Sequence, residues 1–116
     1  MIVGANVELQ LNVEIAETSF KRLKGLMFRS SLEENEGMLF IFDKPCTPSI
    51  WNLFTFASLD TIFIREDGKI SEIHSLPSAV LPTKTIKSAE RVKYVLEVAE
   101  GFSIKNKISA GNKVAL

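Results

Sequence analysis

Residues 61–74 read TIFIREDGKISEIH and carry the clearest local structural signal in the chain. Two segments rich in β-branched residues flank an Asp-Gly dipeptide, which is typical of a two-residue hairpin turn of type I′. In that register Ile62 faces Ile73 and Glu66 faces Lys69, and both kinds of cross-strand pair stabilise antiparallel strands. The stretch therefore predicts a β-hairpin.

Three segments upstream of the hairpin predict further strands. Apolar and polar residues alternate over residues 7–13, which is the period of a half-buried strand. The apolar runs at 38–42 and 50–57 are too short for helices, so we expect two strands that are buried on both faces. Pro45 and Pro48 lie between these runs and predict an irregular connection.

A short helix is predicted between the first two of these strands. A hydroxyl residue at position 18 or 19 can cap its N-terminus, and basic residues crowd its last turn, where the helix dipole favours cations. Phe20 and Leu23 share one face of about two turns. Gly25 supplies a left-handed end, after which Leu26 can fold back on Phe20 and close the C-terminal cap.

Downstream of the hairpin, a loop that begins at Pro77 spans roughly 15 residues, and loops of that length often serve in binding. Residues 94–98 predict another strand, Gly101 ends it, a helical turn follows through Ile104, and a last extended segment ends at Val114. We therefore expect a single domain over residues 1–116. Its class is α+β and mainly β, with about six or seven strands in a curled or closed, barrel-like sheet and one or two short helices.

The composition excludes several classes of protein. Of the 116 residues, 46% are hydrophobic and 24% are charged, as in ordinary globular domains. Fourteen basic and fourteen acidic residues give zero formal net charge, so the long-range attraction to nucleic acid or anionic lipid is missing. With one cysteine, Cys46, and one histidine, His74, no thiolate and imidazole zinc site can form.

The N-terminal residues lack a basic and apolar leader, and no apolar stretch reaches the roughly 20 residues that cross a bilayer. We therefore expect a cytoplasmic monomer with no cofactor, no metal ion, no nucleic-acid partner and no membrane contact.

Several short motifs follow one another along the chain: Arg22 with Gly25-Leu26-Met27 and Arg29, then Gly37-Met38-Leu39-Phe40, Trp51 and Thr55, Leu59-Asp60, and Tyr94-Val95-Leu96-Glu97 with Gly101. In this order the motifs resemble the bacterial and archaeal family known as domain of unknown function 192, over nearly the whole chain. The resemblance implies a compact, β-rich, barrel-like domain with a helix packed on it, and no established activity.

The chain departs from the family's usual residues at two places. Between Trp51 and Thr55 the family commonly has Met-Lys-Asn, whereas residues 52–54 here are Asn-Leu-Phe, so a lysine is missing. Near the C-terminus the family's Gly-Asp is Gly111-Asn112, so a carboxylate is missing. Both departures weaken an interpretation of the chain as an enzyme.

Three charged residues could build a binding site, and each has a structural alternative. Asp60 lies between two apolar strands, where it either binds a ligand, acts as a general base, or accepts hydrogen bonds from backbone amides at the corner between the strands. Arg22 and Arg29 flank the glycine turn. They can grip an anion with two parallel hydrogen bonds, pair with Asp60, Glu97 or the acidic loop at 33–36, or remain solvated.

Three further residues complete the candidate set. Trp51 and Thr55 share one alternating face and can line a pocket, although a buried core tryptophan is the common outcome. Glu97 interrupts an apolar strand, and it either pairs with an arginine or faces outward. Nothing in the sequence near His74 or Cys46 supports a catalytic triad or a reactive thiol.

These residues support three hypotheses. The preferred one is a non-catalytic domain that binds a small ligand or serves as an accessory module. The second is a small hydrolase or transferase with Asp60 as general base, although no positioned nucleophile, metal cluster or phosphate loop accompanies it. The third is a protein-interaction module that uses residues 50–56. The expected partner is thus a small molecule or a protein.

Overall fold

The computed structural model describes residues 2–3 and 9–115, which form nine strands and two short helices. In chain order these elements are β1 (Ile2–Val3), β2 (Asn12–Ala16), α1 (Ser19–Lys24), β3 (Glu36–Cys46), β4 (Ser49–Trp51), β5 (Leu59–Ile64), β6 (Ile70–Leu76), β7 (Thr85–Lys87), β8 (Val92–Ala99), α2 (Phe102–Lys105) and β9 (Val114–Ala115). The predicted mainly β class with one or two short helices is confirmed, and the strands beyond the expected six or seven are very short.

The longest apolar runs of the sequence form the centre of a five-stranded sheet with the order β2-β3-β8-β5-β6. β8 pairs antiparallel with both β3 and β5, while β2 runs parallel to β3. All six residues of β5 are buried, because β6 and β8 pair with its edges and apolar clusters cover its faces, although two of the six, Asp60 and Thr61, are polar. The pairs β1-β9 and β4-β7 form two small separate sheets, and the described strands do not close into a barrel.

Two apolar clusters cover the two faces of the sheet because successive side chains of a strand point in opposite directions. Leu96 and Val98 belong to the cluster that α2 covers with Phe102. Val95 belongs to the other cluster, together with Leu26, the second residue after α1. The alternation of β8 therefore places the intervening acid, at position 97, on the face of Val95.

The hairpin at β5 and β6 confirms one predicted pair and corrects the other. Ile62 faces Ile73, but Glu66 does not face Lys69, because the register shifts between Phe63 and Ile64. The Arg65 amide donates to the Lys69 carbonyl, and the Gly68 amide donates to the Arg65 carbonyl. Gly68 has a φ of 89°, whereas Asp67 does not adopt the positive φ that a type I′ turn requires at both central residues. The connection is therefore a three-residue loop with a bulge.

α1 has the predicted bounds but not the predicted contacts. The Thr18 hydroxyl accepts a hydrogen bond from the Lys21 amide, and Gly25 ends the helix with a φ of 49°. Phe20 and Leu23 remain 74% and 64% exposed, whereas Leu26 is buried in the core. The expected closure of the cap by Leu26 on Phe20 is thus replaced by packing of Leu26 on the sheet. None of the helices in the described part of the chain is long and apolar enough to cross a membrane.

Three strand boundaries also differ from expectation. β2 begins only at Asn12, while positions 7 and 8 of the predicted strand lie outside the described residues. β3 continues through Pro45 to Cys46, because the proline falls where the pairing with β8 is irregular and needs no amide donor. The predicted strand at 50–57 was wrong beyond Trp51, after which the chain turns.

Asn52 explains that turn. Its side chain is fully buried, and its amide group donates to the Pro77 carbonyl at 2.9 Å and to the Thr83 hydroxyl at 3.0 Å. Its oxygen accepts from the backbone amides of Thr83 and Lys84 at 2.9 and 3.2 Å. All four hydrogen-bonding positions of the amide group are used, so Asn52 fastens the turn to the long loop that follows β6.

We expect Asn52→Ala to destabilise the protein by about 2–3 kcal/mol, because four hydrogen bonds of a buried amide are lost together. Hydrogen exchange should show faster exchange of the Thr83 and Lys84 amides, and denaturant titration should show the lost stability. Asn106→Ala is the matched control, because Asn106 makes one such bond, to the Phe102 carbonyl. We expect that control to cost about 1 kcal/mol. Equal losses in the two variants would contradict the role assigned to Asn52.

Candidate functional site

A cavity of about 120 Å³ lies on the sheet face that Leu26 covers. Its floor includes Glu97 from β8 and Phe40 from β3, and its walls come from the segment at 22–27 and from residues between Ser49 and Thr55. We call it the Glu97 cavity. One wall combines the end of α1 with the glycine turn after it, and the other combines β4 with the turn after Trp51, whose course the sequence did not predict.

The first wall forms because Gly25 lets the chain turn close to the sheet. A Cβ atom at this position would lie 3.2 Å from the Phe40 ring, so a larger residue would crowd the floor of the cavity. The positive φ of Gly25 is also a conformation that side-chain-bearing residues avoid. The turn delivers Leu26 and Met27 to the cavity wall.

The second wall is tied to the first through two phenylalanines. The Phe28 amide donates to the Phe54 carbonyl at 2.8 Å, and the two rings stack with centroids 5.3 Å apart. Both residues have positive φ angles, 68° and 49°, which cost about 1–2 kcal/mol for a bulky residue. The surrounding contacts thus hold strained backbone next to the lining residues Met27, Leu53 and Thr55, and backbone strain of this kind clusters at functional sites.

Glu97 is the acid on the floor of the cavity. The residue is 4% exposed, and its cross-strand neighbours are Met38 and Thr61. Its carboxyl group forms no hydrogen bond or ion pair with the described residues, and burial raises its pKa from 4.5 to about 7. The hydroxyl of Thr61, directly opposite, is also buried without a partner there. The expectation that Glu97 faces outward was wrong, because the alternation of β8 directs it to the covered face.

Arg22 lies on the cavity wall but does not pair with Glu97. Its Nη1 atom donates to the carbonyls of Ile41 and Glu17, at 2.8 Å each, and its guanidinium carbon lies 5.2 Å from the centre of the Phe42 ring. The arginine therefore clamps α1 to β3 and leaves its charge at the rim of the cavity.

Trp51 and Thr55 both line the cavity. Trp51 remains 44% exposed, so the alternative of a buried core tryptophan was wrong. The Thr55 hydroxyl is buried and donates to the Leu53 carbonyl at 3.3 Å. With Arg22 and Glu97, four of the six candidate residues thus lie around one cavity.

Asp60 and Arg29 do not line the Glu97 cavity. Asp60 accepts hydrogen bonds from the Ser103 amide at 3.0 Å and from the Gly101 amide at 3.4 Å, at the beginning of α2. Asp60 therefore follows the structural alternative, in which its carboxylate accepts hydrogen bonds from backbone amides. These amides lie at a helix terminus and not at the corner between two strands. Arg29 forms an ion pair with Glu14 at the surface, which lowers the pKa of the Glu14 carboxyl.

The remaining titratable candidates lie elsewhere. His74 Nε2 lies 2.7 Å from a Glu72 carboxylate oxygen on the same strand. Burial raises the pKa of the Cys46 thiol, which disfavours the reactive thiolate. No group of three or more metal-ligating side chains occurs within residues 9–115.

An apolar surface at the mouth of the cavity was not predicted from the sequence. Phe20, Leu23 and Phe28 are mostly exposed and adjoin Trp51 and Leu53 along a groove of about 580 Å³. We call these five residues the apolar rim. In the sequence, the sign of this surface was the presence of Phe20 and Leu23 among the lysines of α1. A packed helix face would produce the same pattern.

Glu97→Gln should change the pH dependence of stability. Because the pKa of Glu97 is raised from 4.5 to about 7 by folding, the native state holds the proton more tightly, and wild-type stability falls as pH rises through this window. At about 1.36 kcal/mol per pKa unit, the variant should gain on wild type by roughly 3 kcal/mol between pH 4 and pH 8. Denaturant titrations across that range measure the difference.

Glu90→Gln is the control for this experiment, because Glu90 is exposed. The free energy of unfolding of Glu90→Gln should change with pH in the same way as that of the wild type. A Glu97→Gln curve that also runs parallel to wild type would refute the assignment of the raised pKa to Glu97.

Asp60→Ala should destabilise the protein by about 1–2 kcal/mol, because the amides of Gly101 and Ser103 lose their acceptor. The indole N–H signal of Trp51, the single tryptophan, should stay in place in a ¹H–¹⁵N NMR spectrum. The exposed Asp43 provides the control, and Asp43→Ala should change stability by less than about 0.5 kcal/mol. A moved indole signal with unchanged stability would instead assign Asp60 to the cavity.

Comparisons with known proteins agree on one family. The model of the family described as an uncharacterized ACR, domain of unknown function 192, matches residues 1–116. A crystal structure from Sinorhizobium meliloti 1021, with the provisional description of a transcription regulator, is 35% identical with a TM-score of 0.82, over 89% of this chain and 79% of that chain.

A second crystal structure, of a protein of unknown function from Novosphingobium aromaticivorans DSM 12444, is 30% identical with a TM-score of 0.89. That similarity covers 98% of this chain and 81% of the other. No curated protein matches the chain. The motifs from Arg22 to Gly101 and the match over the whole sequence agree, and the chain belongs to the domain of unknown function 192 family.

Proposed function

We propose that this chain is a small-ligand-binding domain and that the ligand occupies the Glu97 cavity. The observation that carries the proposal is the Glu97 carboxyl group, which is buried on a cavity floor and has no partner among the described residues. A buried polar group without a partner costs about 1–3 kcal/mol, so such groups are rare in folded proteins and call for a reason. A ligand that hydrogen-bonds to the carboxyl supplies that reason.

The composition of the cavity also supports small-molecule binding. Ligand sites are typically lined by apolar and aromatic side chains, with a few polar groups that fix the orientation of the ligand. Here Leu26, Phe40 and Trp51 supply the apolar surface, and Glu97 and Thr55 supply the polar groups. Trp51 is half-exposed and can therefore cover a ligand with its ring.

The size of the cavity limits the part of the ligand that enters it. At about 120 Å³ it is close to the roughly 150 Å³ of an engineered apolar cavity that takes up benzene, so the inner part holds about six heavy atoms. A larger ligand extends over the apolar rim, because the cavity and the groove share Leu23, Lys24, Met27, Trp51 and Leu53.

The hydrolase or transferase alternative finds less support from Asp60. Its carboxylate is occupied by two backbone amides and does not line the cavity. Glu97 is the better-placed acid or base, since its pKa of about 7 suits proton transfer near neutral pH. Among the described lining residues, Ser49 is the one serine, and there is no cysteine that could act as a nucleophile. No group of metal-ligating side chains occurs among the described residues either.

The protein-interaction alternative draws on the apolar rim, because large exposed apolar surfaces often mark contact sites. It requires no role for Glu97, and this separates it from the ligand-binding proposal. A role in transcription, as the description of the Sinorhizobium relative suggests for that protein, would need a DNA contact. The zero formal net charge of this chain does not favour one.

A thermal-shift screen tests the proposal. Sugars, nucleotides, amines, alcohols and carboxylic acids are each added to the wild type, to Trp51→Ala and to Ile104→Ala. A ligand at 100 times its Kd stabilises the folded state by about 2.7 kcal/mol, which raises Tm by several degrees. At least one class should raise the Tm of the wild type and have a much smaller effect on Trp51→Ala.

Ile104→Ala is the control, because Ile104 is a large apolar residue that is exposed on α2 and does not line the cavity. It should respond like the wild type. Ligands that shift all three proteins equally, or the lack of any shift across the screen, would overturn the proposal. In that case the concentration dependence of the oligomeric state tests whether the apolar rim is an interface.

A further inference from the structure

We propose that the ligand of the Glu97 cavity is an amphipathic primary amine, whose ammonium group meets the Glu97 carboxylate while its apolar part lies against the apolar rim. This inference rests on the proposed ligand-binding function and specifies its chemistry. It follows from the donors and charges that surround the cavity.

Among the described residues, Glu97 is the one acidic side chain in the cavity lining, and it needs hydrogen-bond donors. An ionised carboxylate accepts at two oxygens and donates at none. An ammonium group brings three donors and a positive charge, and hydrogen bonds between charged groups are roughly twice as strong as neutral ones. An alcohol brings one donor and no charge, and a carboxylate ligand would repel Glu97.

The protein itself does not bring a cation to the floor. The charged groups of the lining other than Glu97 are Arg22 and Lys24, on α1. Arg22 is held by the Ile41 and Glu17 carbonyls and by the Phe42 ring. Lys24 is exposed to solvent, where screening weakens its effect. On the second wall, Leu53 presents an apolar side chain, so the compensating charge has to come with the ligand.

The apolar half of the ligand follows from the rim. The groove continues from the cavity through Leu23, Trp51 and Leu53 to Phe20 and Phe28, and these side chains are almost entirely apolar. A short apolar stem or an aromatic ring attached to the amine would cover them.

Three probes of matched size test the amine: 2-phenylethylamine, 2-phenylethanol and 3-phenylpropionate. Their Kd values are measured by NMR titration at pH 8, with the Trp51 indole N–H signal as one reporter of the site. The amine should bind the wild type at least tenfold more tightly than the alcohol or the acid. Glu97→Gln should lose most of that preference while it still binds the alcohol.

In a second variant, the protein itself supplies a positive charge beside the Glu97 carboxylate. Leu53→Lys places an ammonium group on the cavity wall, where it can pair with Glu97 and compete with the ligand. Binding of the amine should weaken at least tenfold. Ile104→Ala, distant from the lining, should bind all three probes like the wild type.

The pH dependence gives an independent readout. Between pH 6 and pH 8 the Glu97 carboxyl group loses its proton, while 2-phenylethylamine stays protonated. Arg22 and Lys24 also line the cavity, and both are unchanged in the Glu97→Gln control. Affinity for the amine should therefore rise about tenfold over this range in the wild type and remain constant in Glu97→Gln.

The outcomes separate this inference from the proposed function. If the alcohol or the acid binds the wild type as tightly as the amine, and Trp51→Ala abolishes that binding, the cavity is a ligand site but its ligand is not an amine. If the amine binds Glu97→Gln as tightly as the wild type, the inference is also overturned. If none of the probes binds and the thermal-shift screen is negative as well, the ligand-binding proposal itself falls.

Discussion

Burial of β8 between β3 and β5 is the constraint on which the structure of the site depends. β8 has a hydrogen-bonded neighbour along each edge and an apolar cluster on each face, so its residues 95–98 are all buried. Three of those residues are apolar and gain free energy from burial, whereas Glu97 loses its hydration. A strand fixed on both sides cannot turn one residue toward water without breaking the ladder. The fold therefore holds Glu97 at the floor of the cavity at a cost to stability, which its pKa of about 7 reports.

Local patterns predicted the elements whose stability is local, and failed where distant residues decide. The cap of α1, the strand β8 and the pair of Ile62 with Ile73 follow from spacing and periodicity. The turn after Trp51 does not, because Asn52 is fixed by partners about 30 residues away, on a loop that no local pattern could place beside it. The apolar residues around Asn52 favoured a strand, and the polar amide side chain of Asn52 itself was the one local sign against it.

The candidate site was predicted in part for the same reason. Arg22, Trp51, Thr55 and Glu97 come from three separate segments, and only the pairing of β3 with β8 and the turns after α1 and β4 bring them together. Asp60 satisfied the same sequence criterion as Glu97, a carboxylate between apolar residues. The two residues differ in their surroundings. The backbone amides of Gly101 and Ser103, at the beginning of α2, donate to Asp60, whereas Glu97 has no donor among the described residues.

Several unfavourable features of the molecule lie close together, and their proximity supports the proposed ligand site. The unpartnered Glu97 carboxyl, the positive φ angles of Phe28 and Phe54, and the exposed apolar side chains of α1 each oppose stability, and all lie at or around one cavity. Other such features lie elsewhere, since Lys107 also has a positive φ and the Ser103 hydroxyl is buried without a partner among the described residues. Conflicts between local preference and fold nevertheless cluster at functional sites, because ligand binding compensates there for what folding alone does not. A ligand that donates to Glu97 and places an apolar body on the rim would offset two of the three costs at once.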